Sequence, residues 1–288
     1  MRKLLIILGL CLSLVGYSQI PSSFGAISSS GGSSSIYTDE FQAVLDDWTT
    51  DPTGDTLTWY NAFVDSLVTN GYWDRADGMW YFATTSNGDS EALVNWISPG
   101  THDATAVSSP TWTKREGYTG DGTADYINLN YNVDTDSSNV GRNDMTVFVY
   151  ARANPNDTYL FGSEEGAVSC KLSGRYNGPN TMRTYINNGT ALANANASAA
   201  GMSTMTRRGA TDTEQYFDGS SLGSDASTSQ DTPAYDYYVL AVNDDGTADE
   251  FSSNQVSFVL IMDGCTDAEV TEIYGWFQTL MTNIGSEV

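Results

Sequence analysis

Apolar residues recur at helical spacing in two stretches near the start of the chain. Phe41, Val44, Leu45 and Trp48 stand at i, i+3, i+4 and i+7, with Thr38 placed to cap the helix they predict. Trp59, Phe63, Leu67 and Val68 predict a second helix, which Asn70-Gly71 would end. From Tyr72 the period changes. Short runs rich in aromatic and β-branched residues follow, among them MWYFAT (79–84), YINLNY (126–131), MTVFVYAR (145–152), TMRTYI (181–186), YDYYVLAV (235–242) and NQVSFVLIM (254–262). Clusters of Gly, Asn, Asp and Ser separate them. Many alternate, as Val147 and Val149 do against Phe148 and Tyr150, which predicts one inward and one outward face per strand. About ten strands at this spacing predict an all-β fold, an antiparallel sandwich or jelly roll. One more helix closes the chain. Thr266 and Glu269 form a capping box, and Val270, Ile273, Phe277, Leu280, Met281 and Ile284 make an apolar stripe. The stripe most simply covers the sandwich; a role in oligomerisation is the alternative.

The first residues belong to neither pattern. Arg2 and Lys3, the apolar run Leu4–Val15 and the small-x-small Gly16-Tyr17-Ser18 read as an export signal over residues 1–18, the run being shorter than the ~20 residues a membrane span needs. An uncleaved apolar anchor is the alternative. Residues 19–36 form a Ser/Gly-rich linker, 37–71 the helical segment and 72–288 the sandwich. The organisation predicts an exported protein of the cell surface or, alternatively, of a virion surface.

Charge narrows the function further. The 288 residues hold 12 Lys and Arg against 36 Asp and Glu, and without residues 1–18 the net charge becomes −26. Such a surface repels phosphate backbones, so nucleic acid is excluded as a partner. Cys170 and Cys265 are the cysteines beyond the leader, and they stand either as a disulfide or as two buried thiols. His102 is the single histidine, in the loop SPGTHDAT, where it reads as a solvent-exposed loop residue. No serine-nucleophile elbow, zinc-type spacing or phosphate loop accompanies it.

Two features carry candidate chemistry. The pentapeptide DGTAD occurs at Asp121–Asp125 and again at Asp245–Asp249. Asp121, Asp125, Asp245 and Asp249 are candidate calcium ligands, because calcium takes several carboxylate and carbonyl oxygens. Turn formation by Asp and Gly explains both loops without a metal, so no cofactor is required and Ca2+ stays a candidate. The chain also has 7 Trp and 17 Tyr. Trp112, Tyr118 and Tyr176 flank loops and are the candidate platforms on which sugar rings would stack.

Three stretches resemble the concanavalin A-like lectin/glucanase superfamily, in its laminin G-like branch: MTVFVYARA (145–153), EQYFDGSSLGS (214–224) and FSSNQVSFVLIMDGCTDAEVTEIYGWF (251–277). A further resemblance, over 73–132, is to surface proteins of bacteriophage virions and of Bacteroidetes-type genomes. The superfamily implies a jelly roll, a rim that often holds calcium, and functions from glycan binding to hydrolysis. Its glucanases carry an E-x-D-x-E strand, which is absent here, and Glu164-Glu165 would point to opposite faces of a strand. The expectation is a non-enzymatic attachment protein for carbohydrate or a surface receptor. A structural virion subunit, bound to neighbours or to copies of itself, and a polysaccharide hydrolase are the alternatives.

Overall fold

The strand Met145–Ala151 shows how the layers are built. Val147 and Val149 are fully buried, and so are the interposed Phe148 and Tyr150. A strand apolar on both faces needs cover on both sides. The computed structural model, which describes residues 36–288 apart from Asp157, Asn177 and Pro179, provides it. The leader and nearly all of the Ser/Gly-rich linker expected over 1–36 lie outside the described residues.

The first sheet runs Ser220–Asp225, Asp212–Phe217, Gly201–Gly209, Met145–Ala151, Gln255–Met262, Gly117–Thr119 and Thr111–Thr113, with Ala76–Tyr81 also paired to Gln255–Met262. The second runs Leu192–Ala195, Thr181–Asn188, Val168–Tyr176, Phe161–Glu165, Tyr238–Val239, Tyr126–Asn128 and Thr105–Val107. Pairing along both orders is antiparallel, while the hairpin Val242–Asp244/Thr247–Asp249 joins Phe161–Glu165 in parallel. The fold is an antiparallel β-sandwich, as the alternation predicts.

Between the sheets, Val147, Val149, Val259 and Ile261 meet Phe161, Leu172, Met182, Ile186 and Val239 in one core. A second core lies on the other side of the first sheet. There Phe148, Tyr150, Phe258 and Leu260 meet three helices. These are α1 (Asp39–Asp47), α2 (Asp55–Thr69) and, after a single helical turn α3 (Val133–Asp136), α4 (Asp267–Asn283). The outward face expected for Phe148 and Tyr150 is therefore a helix-covered face. The helices begin and end where their sequence signals stand: the Thr38 hydroxyl accepts the Phe41 N–H at 3.1 Å, and α2 ends at Asn70, with Gly71 at φ 74°. At α4 both bonds of the Thr266/Glu269 capping box are made. The whole α4 stripe is buried against the sheet and α2, with the Phe277 ring 4.3 Å from Phe258 and 5.0 Å from Tyr150. The stripe is thus consumed within the chain. Among the described residues no helix is long and apolar enough to cross a membrane.

Candidate functional site

The second sheet buries one face and turns the other toward solvent. In Val168–Tyr176, Cys170 and Leu172 enter the inner core, and in Thr181–Asn188 Met182 and Ile186 do the same. Alternation then places Lys171, Arg183 and Tyr185 on the outer face. Register extends this face across five strands, because residues directly opposite one another share a side of the sheet. Tyr185 pairs with Lys171, Lys171 with Gly162, Gly162 with Tyr238, and Tyr238 with Asn128. Gly162 interrupts the side chains of this row. A Cβ there would stand 2.5 Å from the Lys171 Cβ, so only glycine lets the lysine stem lie alongside.

Cations and rings alternate along the face. The Arg183 guanidinium carbon lies 4.7 Å from the Tyr176 ring centre and 5.4 Å from that of Tyr185, and Nη2 donates to the Tyr185 hydroxyl at 2.7 Å. The Lys171 ammonium lies 5.3 Å from Tyr185 and 4.7 Å from Tyr159. Both distances are within the range in which a ring's negative face attracts a cation. Tyr159 and Tyr176 close the group with ring centres 5.2 Å apart. Lys171 is buried and bound by two carboxylates, Glu164 and, at 3.0 Å, Glu250. Burial alone would lower its pKa; the two carboxylates hold it above the ordinary lysine value. Beyond Gly162, Tyr238 stacks on Tyr126 with ring centres 4.5 Å apart, and burial with that neighbour pushes its pKa up to about 12. Tyr126, Tyr176, Arg183 and Tyr185 are all part-exposed. The face thus offers ring surfaces beside hydroxyl, guanidinium and carboxylate groups, the combination that stacks on a sugar and hydrogen-bonds its hydroxyls.

Of the three expected platforms, Tyr176 lies in this group and the other two do not. Tyr118 is buried in the inner core, 3% exposed, with its hydroxyl accepting from Asn87 Nδ2 at 2.7 Å. Trp112 is half-buried against the same core and donates through Nε1 to the Phe82 carbonyl at 2.9 Å. They face each other in the hairpin that closes one edge of the first sheet. Proximity to a loop says nothing about which side of a hairpin docks. Lys171, Arg183 and Tyr185 were missed, although TMRTYI marks Arg183 and Tyr185 by alternation with Met182 and Ile186.

The two DGTAD loops are unlike turns. Asp121 accepts the N–H groups of Thr123, Ala124 and Asp125 at 2.8, 2.8 and 3.0 Å, together with the Thr123 hydroxyl, which holds its carboxyl well below the usual range. Asp125 is shifted upward, by burial and by Asp121. Asp245 and Gly246, at φ 48° and 85°, form the two-residue turn of the hairpin Val242–Asp244/Thr247–Asp249, where positive φ at both positions gives a type I′ turn. Asp245 accepts the Gly166 N–H at 3.2 Å, and Asp249 the Glu250 N–H at 2.8 Å. Among the described residues no three His, Cys, Asp or Glu side chains converge.

Cys170 and Cys265 are unpaired. The first lies in the core between the sheets and the second in the helix-side core, so the first sheet separates them and the disulfide alternative is corrected. His102 is half-buried, its Nδ1 2.6 Å from the Asn130 carbonyl oxygen, at the edge of a cleft of about 330 Å3 shared with Asp77 and Asp136. The expected solvent-exposed histidine is thus partly enclosed. Asp77 in that cleft is occupied by the N–H groups of Ser138, Asn139 and Val140 and by the Tyr131 hydroxyl. Glu164 and Glu165 diverge as adjacent strand residues must: Glu164 goes to Lys171, while Glu165 accepts the Ala234 N–H at 3.0 Å.

No protein-family model matches the chain, and no curated protein does. Solved structures give distant likenesses in fold. A Trypanosoma rangeli sialidase in complex with the inhibitor DANA is 14% identical, with 68% of this chain and 32% of that chain covered and a TM-score of 0.48. Domain 4 of AbnA, a GH43 extracellular arabinanase from Geobacillus stearothermophilus in complex with arabinotriose, is 14% identical over 69% of this chain and 98% of that one, with a TM-score of 0.45. The binding domain of botulinum neurotoxin serotype D is 13% identical over 69% and 52% of the two chains, with a TM-score of 0.47. The chain therefore spans a minor part of the sialidase and about half of the neurotoxin domain.

Proposed function

We propose that this protein is a non-catalytic recognition module, of the lectin-like and laminin G-like kind its sequence resembles, which binds carbohydrate through the outer face of the second sheet. Its expected place is the exterior of a cell or a virion. The observation that carries the reading is the alternation Tyr176, Arg183, Tyr185, Lys171, Tyr159 on that face. Rings held by cations within a rigid sheet are preorganised, so little side-chain freedom is lost when a sugar stacks on them.

The test is a glycan array probed with the full chain and with Tyr176→Ala and Tyr185→Ala. Both tyrosines are part-exposed, so the variants should fold normally by circular dichroism and lose roughly tenfold or more in affinity, as removal of a stacking ring implies. Unchanged binding in both variants, or none by the parent protein, would overturn the reading.

A further inference from the structure

We infer that the ligand of this face is a short saccharide bearing a carboxylate, and that Arg183 receives that group; the inference rests on the function proposed above. Residues 19–288 hold ten Lys and Arg among 36 Asp and Glu, so carboxylates far outnumber cations. Among the described residues Arg75, Lys171 and Arg208 take carboxylate partners. Lys114, Arg115, Arg142, Arg152, Arg175 and Arg207 take none, and neither does Arg183, which of these is the one held against aromatic rings, part-exposed on a broad sheet face. Its one hydrogen bond, to the Tyr185 hydroxyl, leaves four of a guanidinium's five N–H groups without an acceptor among the described residues.

The geometry suits an incoming carboxylate. Tyr176 and Tyr185 fix the guanidinium between their rings, and the planar fork that remains matches two carboxylate oxygens. The Tyr185 hydroxyl, already accepting from Nη2, keeps its own proton for a second ligand oxygen. Arg175, on the strand next to that of Arg183, adds to the local imbalance. It donates to the Asn180 side chain at 2.8 Å and the Asn154 carbonyl at 3.2 Å, both uncharged oxygens. Lys171 differs in kind, being neutralised by Glu164 and Glu250, and supports Tyr159 and Tyr185 from beneath. The net charge of −24 repels a long polyanion at a distance. One carboxylate on a short saccharide meets the local cation and little of that repulsion.

The experiment compares matched oligosaccharides with no charge, one uronic acid residue or one sulfate, binding to the parent protein, Arg183→Gln and Arg183→Lys. Expected is a preference of about tenfold or more for the uronate form over the neutral one, the scale of a charge-assisted bidentate contact. Arg183→Gln should lower uronate binding by about tenfold more than it lowers neutral binding, and Arg183→Lys should restore only part of that difference because the fork is lost. Equal binding of neutral and uronate forms by the parent, or an equal loss for both in Arg183→Gln, overturns the inference and leaves the glycan-binding reading standing. A preference for the sulfate form alone overturns the carboxylate assignment. Absence of binding to every member overturns both.

Discussion

Cys170 and Cys265 illustrate how completely single positions are determined by layer. Each is fully buried, and burial pushes each thiol up to about 12. A thiol so placed is neither accessible nor ionised at neutral pH. In the native protein both should resist iodoacetamide, and both should be alkylated once the chain is unfolded; peptide mapping by mass spectrometry reads this directly. Alkylation of either in the native state would show that its layer opens. The same dependence on layer explains why Tyr118 is buried and the part-exposed Trp112 docks on the core, although both flank loops. Their neighbours in sequence are loop-like, yet the ring orientations are set by where their hairpin lands on the core, information carried by residues such as Phe82 far along the chain. Tyr176 flanks a loop as well, but a register shift between Ser173 and Tyr176 breaks the alternation that turns Cys170 and Leu172 inward, so no local pattern marks where its ring goes.

Among the elements, α4 was the most legible, since a capping box and a periodic stripe are both local signals. What could not be read locally is the clamp at its start. Arg75, from the segment before the first strand, reaches Asp263 at 2.8 Å and Glu269 at 2.5 Å. Burial alone would raise the Glu269 carboxyl, but Arg75 and the Thr266 donors bring it below the ordinary value. A carboxylate lowered in the folded state stabilises above its unfolded pKa, near 4.3, and this contribution is lost as pH falls through the lower folded value. The melting temperature should therefore decline on acidification below about pH 4, and Glu269→Gln should flatten part of that decline while lowering stability at neutral pH. An unaltered acid limb in the variant would show that the clamp contributes nothing. Thr266→Ala, which removes the cap, should cost about 1 kcal/mol in urea titration at neutral pH.

For the whole molecule, the decisive arrangement is helices, first sheet, second sheet. The sandwich was legible from strand spacing; the third layer was legible as separate helices but not as cover for Phe148 and Tyr150, because a strand apolar on both faces looks locally like one with aromatic exterior residues. Phe277 is where the helix layer is fastened, with ring contacts to Phe63 on α2, Tyr81, Tyr150 and Phe258 on the sheet. Phe277→Ala should cost about 3–5 kcal/mol by equilibrium denaturation. Unfolding should remain a single transition, since the helices and the sheet share one core. A separate early transition would show that the helix layer melts alone.

The uncovered side of the second sheet gives the molecule an unequal tolerance for change. Every position of Met145–Ala151 answers to a packed neighbour above or below, so variation there must be compensated elsewhere. Arg183 and Tyr185 can be exchanged without disturbing Met182 or Ile186, which point the other way. A lineage, or an experimenter building a library, could therefore rewrite the part-exposed positions of this face while the frame beneath them keeps its sequence.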